Sequence, residues 1–292
     1  MIKIKNIVLV AIVSILIYAC SSNNPLVDNF DHEGQSVIDN DSLRSYFSKH
    51  YYDVVLDSIK PLVIGETSLL DDINLKVENV TENEIDYKLY YYVVREGNPN
   101  PVKGFPTTLD SVLVTYDGVT IEDTDGFGYN FETQNSATWF TLDAVIGGWT
   151  YGFTNFKGGR NITNNGPITF ENGGKGMLFI PSGLAYRNTG SGNIPPNTPL
   201  LFYINLFDIV ENTDFDNDGI PSYLEIEDAS VQPDPRLVDS DGDSFPNYRD
   251  DDDDNDGVLT KDEDANGDGD PRNDFSDPEN PTLPDYLNPR IK

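Results

Sequence analysis

Between residues 74 and 210 the chain is written almost wholly in strands, and one helical candidate interrupts them. The segments LKVENVT, EIDYKLYYYVVRE, DSVLVTYDG, KGMLFIP and TPLLFYINLFDIV are rich in Val, Ile, Leu and Tyr, and Asn, Gly, Pro and Asp bound them. That is the pattern of pleated strands closed by turns. The interruption, LDAVIGGWTYGFTNF over 142–156, sets Val145, Trp149, Phe153 and Phe156 on one helical face at i, i+4, i+8 and i+11. Gly147, Gly148 and Gly152 each cost roughly 1 kcal/mol relative to Ala in such a helix. Tertiary packing must therefore hold it, and the bare backbone lets a sheet or a ligand approach closely.

Charge divides the chain. The net charge is −31, and residues 211–292 contain 26 acidic and 6 basic residues, so about 20 of the excess negative charges lie in the tail. Such asymmetry predicts two regions with different physics and excludes nucleic acid as a partner for either. One cysteine excludes a disulfide framework and a thiolate metal cluster, and two histidines, His32 and His50, leave little for zinc or a His-based triad. His50 falls on one helical face with Leu43, Tyr46, Phe47 and Tyr51. A short helix is expected over 39–53, with Asp39, Asn40, Asp41 and Ser42 as candidate caps and His50 on its surface.

The start of the chain reads as an export signal. Lys3 and Lys5 precede an apolar run over 7–17, too short to span a membrane as a mature helix, which ends in Ile17-Tyr18-Ala19-Cys20. Cys20 stands where a bacterial lipoprotein signal needs a thiol to acylate, so lipid on Cys20 would attach the chain to the cell envelope, at the outer membrane, through buried acyl CH₂ groups. Residues 21–38 are polar and without period, the composition of a tether. The expected organisation is a signal over 1–20, a tether and N-terminal extension with a short helix over 21–84, a folded domain over 85–210 and an acidic tail over 211–292.

The tail repeats one twelve-residue grammar. DFDNDGIPSYLE sets Asp214, Asp216 and Asp218 at positions 1, 3 and 5, the Ile220 carbonyl at 7, Ser222 at 9 and Glu225 at 12. DDDNDGVLTKDE repeats it with Asp252, Asp254, Asp256, Val258, Thr260 and Glu263. DSDGDSFPNYRD supplies Asp239, Asp241, Asp243, Asn247 and Asp250, with Ser244 in place of the glycine at position 6. A fourth loop, Asp264, Asn266, Asp268 and Gly269, lacks the late acid. Alternating acids converge on one point only where the loop turns sharply, and the late carboxylate then completes an oxygen cage suited to calcium. Runs such as DSDGDSFPNYRD resemble thrombospondin type 3 repeats, which wrap around calcium with little regular structure.

Three segments of the strand-rich region resemble the FKBP-type peptidyl-prolyl isomerases, in that family's order. VLVTYDG resembles the strand bearing the pocket tyrosine, here Tyr116. FTLDAVIGGWTYGF resembles the stretch giving Phe140, Val145, Ile146 and Trp149. LFIPSGLAYRNTGSGNIPPNTPLLFYINL resembles the strand, loop and last strand giving Tyr186, Ile194 and Phe202. The family's Phe-Asp pair corresponds to Phe131-Glu132 or to Tyr129-Asn130, and the spacing to Phe140 favours the former. The resemblance implies an α+β fold, a twisted antiparallel β-sheet (a half-barrel) wrapped around one short helix, followed here by an irregular calcium-loop tail. It also implies isomerase activity without a cofactor on proline-containing unfolded or exported polypeptides. Trp149 would floor the pocket; Tyr116, Phe140, Val145, Ile146 and Phe202 would wall it; the Ile146 N–H and Tyr186 hydroxyl would bind substrate carbonyls.

Two departures stand out. Arg187 occupies the position of the family's glycine after the pocket tyrosine, where it either alters the loop or clamps a substrate. About fourteen extra residues, NITNNGPITFENGG, are expected to form an added hairpin. Two other function classes fit the residues: a client-holding module without catalysis, and a calcium-dependent surface structure built on the tail.

Overall fold

The computed structural model describes residues 29–121, 128–226 and 235–292. The expected signal, Cys20 and the first part of the expected tether lie outside the described residues. Of two compact units, Met1–Asp31 is described only over 29–31, without a helix or strand, and the following concerns His32–Lys292.

The fold is α+β, built on a six-stranded, wholly antiparallel sheet. Helix α1 (His32–Lys49) leads into a hairpin of β1 (His50–Asp53) and β2 (Ser58–Pro61). The sheet follows with β3 (Leu75–Glu82), β4 (Ile85–Arg95), β5 (Ser111–Thr120) and β6 (Asn130–Thr141). The short helix α2 (Gly147–Gly152) comes next, then a small hairpin of β7 (Arg160–Asn161) and β8 (Phe170–Glu171), then β9 (Gly174–Ile180) and β10 (Leu200–Val210). The spatial order is β3-β4-β9-β10-β5-β6. The β7–β8 pair lies in the inserted segment, as its turn residues predict.

The central strands are apolar on both faces because both are covered. Along β9 and β10, Leu178, Ile180, Leu200, Phe202 and Ile204 turn to the cluster that holds Trp149, Phe153 and Phe156 of the α2 region. Their neighbours Phe179, Leu201 and Tyr203 turn the other way, onto Leu43, Tyr46 and Phe47 of α1. A period of two along each strand thus feeds two cores.

Three local expectations are corrected. Helix α1 runs His32–Lys49 rather than over 39–53, so the candidate caps lie inside it. Asp39 is 1% exposed and receives the Ser182 N–H (2.6 Å) and the Gln35 side chain (2.7 Å). Burial raises its pKa, and those bonds oppose the rise. This acid anchors the helix to the turn that begins the pocket loop. His50 is not on a helix surface. It opens β1, is 6% exposed, stacks on Tyr46 at 3.9 Å and sets Nδ1 2.8 Å from the Tyr46 carbonyl. The chain leaves the helix after Lys49, whose carbonyl takes the Leu62 N–H of the returning hairpin.

The third correction is Val145, which lies ahead of α2 in extended backbone (φ −118, ψ 178). The six-residue α2 is flanked by 3₁₀ turns at Leu142–Ala144 and Phe153–Asn155. Its glycines are contact points: a Cβ on Gly148 would meet Ile180 at 2.2 Å, and one on Gly152 would meet Leu178 at 2.8 Å. The helix lies with bare backbone against β9, as its composition predicts. Gly148→Ala is therefore expected to destabilise the domain by about 1–3 kcal/mol through overpacking, read as a lowered denaturation midpoint in urea.

The sheet begins at Leu75, upstream of residue 85. Among the described residues no helix is long and apolar enough to cross a membrane.

Candidate active site and acidic loops

Trp149 is 4% exposed and forms the floor of a cavity of about 380 Å³. Four rings meet it edge-on: Tyr116 at 4.7 Å, Phe153 at 5.1 Å, Phe202 at 5.2 Å and Phe140 at 5.4 Å. Such T-shaped contacts set the positive ring edges against the negative faces and fix each ring's orientation. The cavity is lined by Tyr116, Glu132, Phe140, Ala144, Val145, Ile146, Trp149, Tyr186 and Phe202. They come from β5, β6, the turn before α2, α2 itself, the loop after β9 and β10.

Of the two alternative pairs, Phe131-Glu132 supplies the cavity residue: Glu132 lines it together with Tyr116. Burial and the Glu132 charge together push the Tyr116 hydroxyl well above its ordinary pKa. Phe131 packs behind the wall on Phe202 at 5.6 Å. Tyr129 is 53% exposed and Asn130 bonds Thr133, so neither lines the cavity. Ile194 is buried in the same core without lining the cavity. Ala144 does line it, although no motif pointed to it.

Polar groups converge at the rim. The Ile146 carbonyl accepts the Trp149 N–H (2.8 Å) and the Thr150 N–H (3.2 Å) at the start of α2, while the Ile146 N–H makes no hydrogen bond among the described residues. The Tyr186 hydroxyl is raised in pKa by burial and by Glu132, so it stays protonated as a donor. Arg187 holds a left-handed backbone (φ 52) and turns its guanidinium to Glu82 of β3 at 3.0 Å. Of the two expected roles, this contact fits the shaping of the loop: the cation ties the pocket loop to the sheet edge.

In the tail, the carboxylates of Asp214, Asp216 and Asp218 gather within 4.8 Å of one another, as do those of Asp239, Asp241 and Asp243 and those of Asp252, Asp254 and Asp256. The first acid of each loop receives the N–H at position 6: Gly219 to Asp214 (3.3 Å), Ser244 to Asp239 (3.0 Å) and Gly257 to Asp252 (3.1 Å). The turn needs positive φ there, 99° at Gly219, 91° at Gly257 and 86° at Ser244.

The position-9 side chains brace the loops. Ser222, Asn247 and Thr260 accept the position-2 N–H groups of Phe215 (3.1 Å), Ser240 (2.8 Å) and Asp253 (3.3 Å). Among the described residues, Glu225 and Glu263 are buried without hydrogen-bond partners, and burial among neighbouring carboxylates raises their pKa values to about 10 and about 8. Asp250 is raised by burial and by Asp243 and Asp241. The backbone carbonyls of Ile220 and Val258 belong to residues whose N–H groups bond Asp218 and Asp256.

The tail also touches the domain. Arg249 pairs with Asp143, whose side chain is 2% exposed and which directly precedes the cavity residues Ala144 and Val145. The same guanidinium lies 5.2 Å from the rings of Phe215 and of Tyr248, and so joins two loops to the pocket rim.

Residues 103–207 match the family described as FKBP-type peptidyl-prolyl cis-trans isomerase. The chain is 37% identical over 122 residues to the FKBP-type peptidyl-prolyl cis-trans isomerase FkpA of Escherichia coli, covering 41% of this chain and 37% of that protein. It is 38% identical over 80 residues to a probable FKBP-type 25 kDa peptidyl-prolyl cis-trans isomerase of Pseudomonas aeruginosa, covering 27% and 29%. A crystal structure of FkpA from Escherichia coli aligns with a TM-score of 0.35 and 32% identity, over 48% of this chain and 53% of that one. The chain spans well under half the length of these curated relatives.

Proposed function

We propose that the FKBP-type peptidyl-prolyl cis-trans isomerase domain carried by this chain catalyses rotation about X-Pro bonds of exported polypeptides at the cell envelope. The observation that carries this reading is the aromatic cavity over Trp149, with donors at its rim and no titrating base required. The barrier to amide rotation is about 18–20 kcal/mol, because the planar bond keeps partial double-bond character. A site lowers it by binding the twisted amide better than either planar form. The proline ring would sit on the Trp149 face between Tyr116, Phe140 and Phe202. The Ile146 N–H and the Tyr186 hydroxyl would hold substrate carbonyls. Glu132 would orient the Tyr116 hydroxyl.

The test is cis/trans exchange of an X-Pro peptide followed by NMR line broadening or a protease-coupled assay. Acceleration by the full chain is expected, and a rate equal to the uncatalysed one would overturn the catalytic reading. Tyr116→Phe is expected to lower kcat/KM about threefold, since one hydrogen bond contributes roughly 0.5–1.5 kcal/mol, with the fold unchanged by circular dichroism.

The organisation proposed around this domain has three parts: an export signal over 1–20 with acylation of Cys20, a domain ending near residue 210, and a tail over 211–292 that binds calcium. The buried, unpartnered Glu225 and Glu263 and the repeated turn at position 6 support the calcium reading. Ser244 is the weak point, since an L-residue in left-handed backbone costs roughly 1–2 kcal/mol. Ser244→Gly is expected to tighten calcium binding at its loop by about tenfold, read by calorimetric titration.

A further inference from the structure

We propose that a divalent cation, calcium by donor chemistry, is held jointly by Asp218 and Glu225 of one acidic loop and by Asp253 of another. The inference rests on the calcium reading of the loops and adds a ligand that the loop grammar does not contain. Asp253 is position 2 of the loop 252–263, where the pattern asks for nothing. Its side chain leaves that loop: a carboxylate oxygen of Asp253 lies with one each of Asp218 and Glu225, all within 4.8 Å of one another.

A cluster of acids alone would not make a site, but these groups are buried and aimed inward. Asp218, Glu225 and Asp253 are 0%, 4% and 2% exposed. Asp218 uses Oδ1 to accept the Ile220 N–H (2.8 Å), and Asp253 uses Oδ2 to accept the Thr260 hydroxyl (3.1 Å). Among the described residues their other oxygens, Asp218 Oδ2 and Asp253 Oδ1, have no hydrogen-bond partner, and neither has either oxygen of Glu225. Among the described residues, the ion pairs of the tail do not reach these three side chains. Buried carboxylate oxygens without a donor or a counter-ion are rare because desolvation is so costly, and a hard cation would supply a partner for the free oxygens of all three. An all-carboxylate donor set without nitrogen or sulfur suits hard cations such as calcium rather than zinc or copper, and magnesium keeps more of its own water than a buried protein cage allows.

The cation would do more than fill a loop. It would join residues 225 and 253 across the stretch that carries Arg249, and so would hold the arginine that meets Asp143 at the pocket rim.

The test is calorimetric titration of the chelated full chain with calcium, for the wild type, Asp253→Asn, Glu225→Gln, the double variant and Asp251→Asn as an exposed control. Thermal unfolding with calcium and with chelator runs alongside. The asparagine keeps an acceptor for the Thr260 hydroxyl. The expected result is that Asp253→Asn and Glu225→Gln each weaken the same binding step at least tenfold, that the double variant adds little, and that Asp251→Asn binds as wild type. Asp253→Asn should also unfold at a higher temperature than wild type in chelator and at a lower one in calcium, a reversal that mere misfolding cannot produce. Wild-type binding by Asp253→Asn would overturn the bridge and leave the loop reading intact. A lower unfolding temperature in both conditions would also overturn it. Absence of calcium binding by the wild type would overturn both readings.

Discussion

Trp149→Ala is expected to lower kcat/KM for an X-Pro peptide by about 100-fold or more, a loss of about 2.7 kcal/mol in transition-state stabilisation. The residue does two things, and the variants can separate them. Its ring is the surface on which a proline would sit, and it is the hub on which Tyr116, Phe140, Phe153 and Phe202 rest edge-on. Truncation to alanine also costs about 3–5 kcal/mol of folding stability by opening a cavity. Trp149→Phe loses less volume and keeps an aromatic face, so it should retain a folded domain and a measurable fraction of turnover. Exchange rates at matched folded fraction, determined by urea titration, check the pair. Full activity in folded Trp149→Ala would sink the assignment of this cavity as the catalytic one.

Removing calcium is expected to unfold the tail while the sheet domain stays folded. The tail has little apolar material of its own: among its described residues, Ile220, Tyr248 and Tyr286 are the buried hydrophobic ones. Its remaining interior is largely carboxylate. Calcium at 100 times its dissociation constant stabilises a folded site by about 2.7 kcal/mol, and several sites act together. A chelated sample should therefore show a separate low-temperature transition in calorimetry, absent when calcium is present.

The pH dependence follows from the raised carboxylates. Glu225 and Asp253, pushed up to about 10 and about 9 by burial and by neighbouring acids, bind protons more tightly folded than unfolded. Their contribution is thus fully present below about pH 4 and is lost as pH rises through 9 to 10. Chelated tail should melt later at pH 5 than at pH 8, and calcium should reverse that order. A single transition, unmoved by chelator at either pH, would rule the calcium reading out.

The features legible in the sequence are those whose cause is local. Gly148 and Gly152 announced a helix pressed on a sheet, and the position-6 glycines announced sharp turns. The ordered motif picked out the aromatic residues that meet at Trp149. What escaped depends on partners distant in the chain. Asp39 looked like a helix cap because its real partner, the Ser182 N–H, lies 143 residues away. The start of α1 was hidden because Val37 and Ile38 are 58% exposed, so the apolar residues there do not mark the buried face. Asp253 sits in an unbroken run of five acids, 250–254, where no period distinguishes the one that turns to another loop. Ala144 has too small a side chain to be singled out by any pattern.

Helix α1 has a practical consequence. The family match begins at residue 103, yet β3 and β4 precede it and supply two of the six strands, while α1 roofs Phe179, Met177 and Leu201. A fragment cut to the match would lose one edge of the sheet and expose the apolar underside of its central strands, a surface that invites aggregation. The smallest piece worth expressing therefore begins at His32. Any swap of this domain into another protein must carry the helix with it.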